Sequence, residues 1–283
     1  MAQAKINEFP KVILDTNVLY SHKLEHLLEI NSTFDLIVTH TPLYELTTTN
    51  KISSKPRDLG RARKALQALI NLSQGPFEAY FLRPFEYVEA LMNPNTSTRS
   101  PQLEYRVMFK FAQQIANGGM LNAEQEVKYK EIVEKENDRF KAWADIFALT
   151  QKRDTEGVSL LEKDINSDDA IWNCKYEIAY FITIFTYPAA KENLNPHTNK
   201  KLHESMIDKI ENYDWEKLEL FLSVYLEFKK NLVQNGNRSV QINDFWDLWN
   251  MVYVQPGSLY WTGEKKWNEL IENAGLGHYI FRE

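Results

Sequence analysis

The spacing of apolar positions changes period several times along this chain, and each change marks an element. The run Lys11-Val12-Ile13-Leu14 is short and continuous and predicts a buried strand. After it, Leu19, Leu24, Leu27, Leu28 and Ile30 share one stripe and predict a helix over 19–30. Phe34 to His40 is rich in branched residues and predicts a second strand. Thr41-Pro42 then predicts a helix start, since threonine can cap and proline suits the first helical position. A polar, turn-like stretch over 47–56 precedes a helical pattern from Leu59 to Leu72, which Gly75-Pro76 ends. Glu78-Ala79-Tyr80-Phe81-Leu82 predicts a third strand stopped by Pro84, and Glu86 to Met92 a helix.

Residues 93–237 contain no strand-like run. Asn93 to Pro101 reads as a polar loop, and helical spacing covers 103–116, 123–152, 167–186 and 215–233 without internal repetition. Strand and helix then alternate again: a helix from Asn243 to about Val254, a strand over Ser258–Thr262, a helix over 264–273 and a closing strand over His278–Phe281. Gly275 and Gly277 sit where a helix C-terminus tolerates positive φ. Alternation of this kind predicts an α/β fold with a doubly wound, mostly parallel sheet flanked by helices. The core would comprise 10–92 and 238–283, and 93–237 would be a helical insertion subdomain.

Composition changes this picture little. The 283 residues suffice for a full core, and 10 glycines and 10 prolines argue against long disordered tracts. The net charge of −6 provides no global attraction for nucleic acid, although bound divalent cations would change the sign locally. Cys174 is the one cysteine, so a cysteine-based zinc site or disulfide framework within the chain is excluded and a reducing cytoplasm fits. The polar stretch before Lys11 has no signal-like apolar core, and no apolar run reaches bilayer-spanning length, so no membrane partner is expected.

The candidate chemistry lies in acids placed at the same predicted sheet edge. Asp15 ends the first strand, Glu45 lies early in the helix after the second, Asp244 and Asp247 stand i,i+3 at a helix start, and Glu264 follows the Ser258–Thr262 strand. Each taken singly is explained by a turn, a cap or a helix-dipole contact. Together and in this order they match what Mg²⁺ or Mn²⁺ requires, several oxygen ligands converging from separate elements. Asp168-Asp169 after Ser167 reads as a cap with first-turn acids, the other reading being an alternative third ligand.

Four segments carry a family resemblance: Leu14-Asp15-Thr16-Asn17-Val18-Leu19, Thr41-Pro42-Leu43-Tyr44-Glu45-Leu46, Asn243-Asp244-Phe245-Trp246-Asp247-Leu248 and Trp261-Thr262-Gly263-Glu264-Lys265-Lys266. Over roughly 10–92 and 238–283 the chain resembles the PIN-domain ribonucleases, relatives of flap-endonuclease-type nucleases. The resemblance implies a sheet of five short parallel strands and Mg²⁺- or Mn²⁺-dependent hydrolysis of RNA phosphodiesters. It implies Asp15 and Glu45 as metal ligands, Asp244 or Asp247 as the third acid, and Glu264 in a position where the family more often has aspartate. Thr16, Asn17 and Thr262 would position ligands or a water. The alternatives are a PIN-like binding module with a weakened site and a toxin-type nuclease controlled by a protein partner.

Lys51, Lys55, Arg57, Arg61, Arg63 and Lys64 form a basic run broken by Asp58 alone, which suits phosphate contacts or a solvated helix face equally. Lys265 and Lys266 carry the same two readings. Tyr80, Phe81, Phe109, Phe111, Trp143 and Trp172 can stack bases, but a core for the insertion accounts for them more simply. His22 and His26 stand i,i+4 and can share a metal, although a solvated helix face explains them without one. No Gly-x-Ser-x-Gly elbow or phosphate-binding glycine loop occurs. The expected partner is nucleic acid, RNA ahead of DNA, with a homo-oligomer or a regulatory protein left open.

Overall fold

Three apolar residues in a row, Val12, Ile13 and Leu14, are wholly buried because their strand lies between two parallel partners. The computed structural model describes residues 9–48, 56–73, 78–93, 103–119, 121–152, 158–186, 195, 198–235 and 240–283. In chain order its elements are β1 (Lys11–Leu14), α1 (Thr16–Ser21), α2 (Leu24–Asn31), β2 (Asp35–Ile37), α3 (His40–Thr48), α4 (Pro56–Leu72), α5 (Pro84–Met92) and α6 (Leu103–Ala116). There follow α7 (Ala123–Thr150), α8 (Leu160–Ile165), α9 (Ala170–Thr186), α10 (Lys200–Asn212), α11 (Glu219–Gln234), α12 (Ile242–Asn250), β3 (Leu259–Trp261) and α13 (Lys265–Asn273). Strand order is β2-β1-β3, with Ile13 opposite Ile37 on one side and Tyr260 on the other. A central parallel strand buried on both faces accounts for the unbroken apolar run.

The five-stranded, doubly wound sheet expected from the sequence does not form. The fold is still mixed α/β, but it is mainly helical around a sheet of three short strands. Two expected strands fail for local reasons. Glu78–Phe81 winds into a 3-10 turn, and the Leu82 carbonyl accepts the Tyr253 hydroxyl at 2.6 Å instead of a neighbouring strand. Pro84 opens α5 only two residues later, too soon for an extended run. At the other end Gly277–Tyr279 is also a 3-10 turn, and one bridge, Tyr260 to Ile280, is all that pairs the closing segment with β3.

Other boundaries moved by small amounts. The helix expected over 19–30 is two, because the chain turns extended at His22 (φ −105°, ψ 150°) after a last helical bond to the Val18 carbonyl, and the His22 Nδ1 lies 3.0 Å from the same oxygen. The helix expected to open at Thr41-Pro42 begins at His40, which places Glu45 in its second turn. The short α8 and all of α10 carry no prior expectation. Gly275 does close α13 with φ +75°, and the Leu276 amide returns to the Ile271 carbonyl. The turn-like 49–55 stretch, Gly75-Pro76 and most of the 93–101 loop lie outside the described residues. Among the described residues no helix is long and apolar enough to cross a membrane.

One continuous apolar cluster joins the sheet to the helices of 103–235. Its centre is α12, which buries Phe245, Trp246, Leu248 and Trp249. Trp246 stacks on Tyr44 of α3 at 4.3 Å, Phe245 meets Phe147 of α7 at 5.8 Å, and Trp249 packs against Phe85 of α5 at 4.3 Å and Phe221 of α11 at 4.7 Å. Buried charges fasten the outer helices. Lys209 of α10 pairs with Glu89 of α5 at 3.0 Å, and Lys229 of α11 pairs with Glu177 of α9 at 2.8 Å, each carboxylate also accepting a tyrosine hydroxyl.

A buried amide locks this arrangement to the sheet. Asn250, at the end of α12, accepts the Thr39 hydroxyl at 2.6 Å and donates to the Leu14 carbonyl at 3.2 Å. It thereby connects the ends of β1, β2 and α12. Asn250→Ala strands a buried hydroxyl and a strand carbonyl, a loss of roughly 1–3 kcal/mol. Urea denaturation should show the midpoint falling accordingly; an unchanged midpoint would contradict the assigned role.

Candidate functional site

The C-terminal end of β1 delivers Asp15 to a buried position, 2% exposed. Its carboxylate is heavily engaged. Oδ1 accepts the Thr16 amide at 2.6 Å as α1 begins. Oδ2 accepts the Asn17 amide group and, at 2.6 Å, the Thr262 hydroxyl from the end of β3. The loop after β3 is drawn against α1 by the same residues: the Gly263 amide donates to Asn17 Oδ1 at 2.8 Å, and a Cβ on Gly263 would stand 3.1 Å from that oxygen. A side chain there would push the Asn17 amide by a few tenths of an ångström.

Glu45 reaches the same place from α3 and accepts the Thr16 hydroxyl. Asp247 reaches it from α12 and accepts the indole N–H of Trp267 at 3.0 Å. One carboxylate oxygen from each of Asp15, Glu45 and Asp247 lies within 4.8 Å of the others. The ambiguity between the two aspartates of α12 resolves on geometry. Asp244 accepts the Gln241 amide at 3.0 Å in a capping box and ion-pairs with Lys266, so its charge is spent on the helix start and a lysine. Asp247, one turn on, enters the cluster.

Electrostatics follow from this crowding. Burial pushes the Asp15 carboxyl from about 3.8 to about 6; the Thr262 hydroxyl works against this shift, and the Glu264 charge adds to it. Burial, then the charges of Asp15, Glu45 and Glu264, hold Asp247 well above the usual carboxylate range, with the Trp267 N–H opposing. Glu264 is exposed, so it stands at the rim as a charge acting on both aspartates. The buried Tyr260 phenol is likewise raised, first by burial and then by Asp15 and Asp247, which keeps it protonated below the cluster.

The remaining sequence candidates divide. Thr16, Asn17 and Thr262 are hydrogen-bonded into the acidic cluster. Arg61 and Lys64 are exposed on α4, and the Arg61 guanidinium lies over the Tyr20 ring at 5.4 Å. Lys265 points to Glu269 at 3.1 Å on its own helix. Lys266 covers the Trp267 ring at 4.3 Å while holding Asp244. Asp168 and Asp169 are exposed at the start of α9. Phe81 and Phe111 are buried, and Trp172 is exposed against Tyr176 at 5.3 Å. Lys51, Lys55 and the side chains of Arg57 and Trp143 lie outside the described residues.

Three contributors carry no clear signal in the sequence. Asn250 is an amide inside the apolar run Leu248–Val254, visible only as a polar interruption. Trp267 reads as a core residue of α13, with nothing to mark its N–H as the donor to Asp247. Lys266 reads as surface charge. Comparison of the chain with protein-family models, with curated proteins and with solved structures yields no match.

Raised carboxyls have a definite consequence for stability without metal. A group whose folded-state pKa lies above its unfolded value adds stability below the unfolded pKa, and that contribution is lost as pH rises through the folded pKa. For Asp15 the window is 3.8 to about 6, and a shift of about two units corresponds to on the order of 3 kcal/mol. Asp247→Asn removes the second raised carboxyl and retains an oxygen for Trp267. In chelator at pH 7 this variant should melt above the parent by about 2–4 °C for each kcal/mol relieved, with the gap closing as pH falls toward 4. An equal or lower melting temperature at pH 7 would refute the electrostatic account.

Proposed function

We propose that this chain hydrolyses phosphodiester bonds in nucleic acid, RNA ahead of DNA, using Mg²⁺ or Mn²⁺ held by Asp15, Glu45 and Asp247. The observation that carries this reading is the convergence of three carboxylate oxygens from β1, α3 and α12 within 4.8 Å. An all-oxygen, all-anionic donor set suits hard divalent cations. Burial, and after it the charge of neighbouring acids, raises Asp15 and Asp247, and a bound cation would oppose both effects. The four matching sequence segments favour a nuclease of PIN-domain type, and the preference for RNA rests on that resemblance.

Such ions, when bound, polarise the phosphodiester and lower the pKa of the attacking water. The chain's own residues set the rest. Thr16 orients Glu45, Thr262 and Asn17 orient Asp15, and Trp267 orients Asp247. Glu264 provides a further acid at the solvent rim. Lys266 holds Asp244 out of the cluster, so the ligands from α12 are reduced to one. Arg61 and Lys64 are accessible cations available to a phosphate backbone.

Purified protein should cleave single-stranded RNA in Mn²⁺ and stop in chelator. Asp247→Asn should reduce the rate roughly 100-fold or more, the loss expected when several kcal/mol of metal-dependent stabilisation disappear. Asp244→Asn should keep most of the activity. Cleavage by Asp247→Asn at the parent rate, or no cleavage of any RNA or DNA in either metal, would overturn the reading.

A further inference from the structure

A second group of ligand-type side chains lies apart from the acidic cluster. His22 at the end of α1, His26 in α2 and Glu283 present one nitrogen or oxygen each, all within 4.8 Å of one another. Glu283 divides its carboxylate between the two rings: Oε1 is 2.8 Å from His22 Nε2, and Oε2 is 3.1 Å from His26 Nε2. The rings stack at 5.7 Å. All three side chains are partly open to solvent, His22 least at 24%.

The His22 ring is held from behind. Its Nδ1 lies 3.0 Å from the Val18 carbonyl, which can only accept. The Ser21 hydroxyl, 2.9 Å from the same nitrogen, already donates to the Asn17 carbonyl at 2.8 Å. Nδ1 therefore donates to Val18, and Nε2 points at the Glu283 carboxylate 2.8 Å away, to which it donates; a metal ion would take the place of that second proton. On the second ring, His26 Nδ1 leans toward the Glu29 carboxylate at 3.9 Å. A backbone carbonyl or carboxylate behind a histidine, with the far nitrogen aimed at a shared point, is the usual outer arrangement of a metal-binding imidazole.

We propose that His22, His26 and Glu283 bind a transition-metal ion of the Zn²⁺ type through the two Nε2 atoms and the carboxylate. Two imidazoles and a carboxylate form a borderline donor set that suits zinc, with one position left for solvent. A tetrahedral zinc with bonds of about 2.0–2.1 Å keeps its ligand atoms about 3.3 Å apart. The observed 2.8 and 3.1 Å contacts are made by the two different oxygens of Glu283, so coordination through one oxygen would lengthen that contact slightly and turn the carboxylate. The ion would clamp the closing segment, whose Phe281 packs on Trp261 at 4.8 Å and on Phe34 at 5.1 Å, to the α1–α2 junction.

The test is calorimetric titration of Zn²⁺ into the untagged protein carrying Asp247→Asn, which removes one of the three acidic-cluster carboxylates and weakens binding there, so that the histidine site is read from the effect of its own variants. One saturable site is expected. Trp261 lies 4.9 Å from the His22 ring, so Cu²⁺ or Ni²⁺ at the site should quench its fluorescence, and Trp261→Phe should remove that component. His26→Ala and Glu283→Gln should each weaken zinc binding about tenfold or more, at least the loss seen when only an outer partner of a ligand is removed. His26 is partly exposed, and its variant should keep the parent melting temperature in chelator. Binding by His26→Ala at parental affinity, or no saturable zinc binding by the Asp247→Asn protein, would reduce the cluster to an ion pair and overturn the proposal.

Discussion

The Asp15 carboxylate is the joint on which the site depends. It is buried at a strand end, where an isolated charge costs several kcal/mol unless donors compensate. Its compensation comes from three groups at once: the first amide of α1, the Asn17 side chain and the Thr262 hydroxyl. Thr262 is reached only because β3 runs parallel to β1 in a register that places Trp261 against Leu14. The sheet is small, but it brings the exit of β3 to the carboxylate, and the Thr262 and Asn17 contacts keep it there. The neighbouring acids repeat the device, Glu45 through Thr16 and Asp247 through Trp267. Every member of the cluster is thus oriented by a donor from another element, yet the set remains mutually repulsive. Orientation without neutralisation distinguishes it from the Asp244–Lys266 pair, whose aspartate lies one turn earlier on α12.

Packing of α12 decides which aspartate enters. Asp244 and Asp247 are three residues apart, so their side chains leave the helix about 60° apart around the axis. A modest rotation would exchange them. Trp246 against Tyr44, Phe245 against Phe147 and Trp249 between Phe85 and Phe221 clamp the helix from three directions. Asn250 then sets its height against the sheet through Leu14 and Thr39. Two of these contacts come from α7 and α11, within the stretch read as an insertion. Those helices therefore shape the acidic cluster by fixing the orientation of α12, even though they contribute no carboxylate to it.

What the sequence made legible follows the same division between local and non-local causes. β1, the position of Asp15 after it, β3 and the helices over 103–116 and 123–150 are written in apolar spacing and were readable. So was the candidate status of Glu45 and of the Asp244/Asp247 pair. The extent of the sheet was not. Residues 78–82 carry strand-like composition, but their hydrogen bonds are decided by Tyr253, 171 residues from Leu82. The choice between Asp244 and Asp247 was not readable because both suit the same helical face, and the discriminating partners, Lys266 and Trp267, lie on another element. His22 and His26 showed two of three ligands, and the remaining acid is 257 residues from His26.

The two clusters differ in donor chemistry, and this difference would give them separate ion preferences. Carboxylates alone favour hard cations that keep much of their water, whereas imidazoles with one carboxylate favour a borderline ion held more tightly. They are linked through consecutive residues of β3 and its exit: Trp261 meets the His22 ring, and Thr262 donates to Asp15. An ion between His22, His26 and Glu283 would press the closing segment, with Phe281, onto Trp261 and restrict the backbone that positions Thr262. Since the Thr262 hydroxyl is the principal hydrogen bond opposing the rise of the Asp15 pKa, any motion at that position alters the charge available to a cation at Asp15. The borderline-donor cluster would therefore act on the hard-donor one through a single peptide unit, with no ligand shared between them.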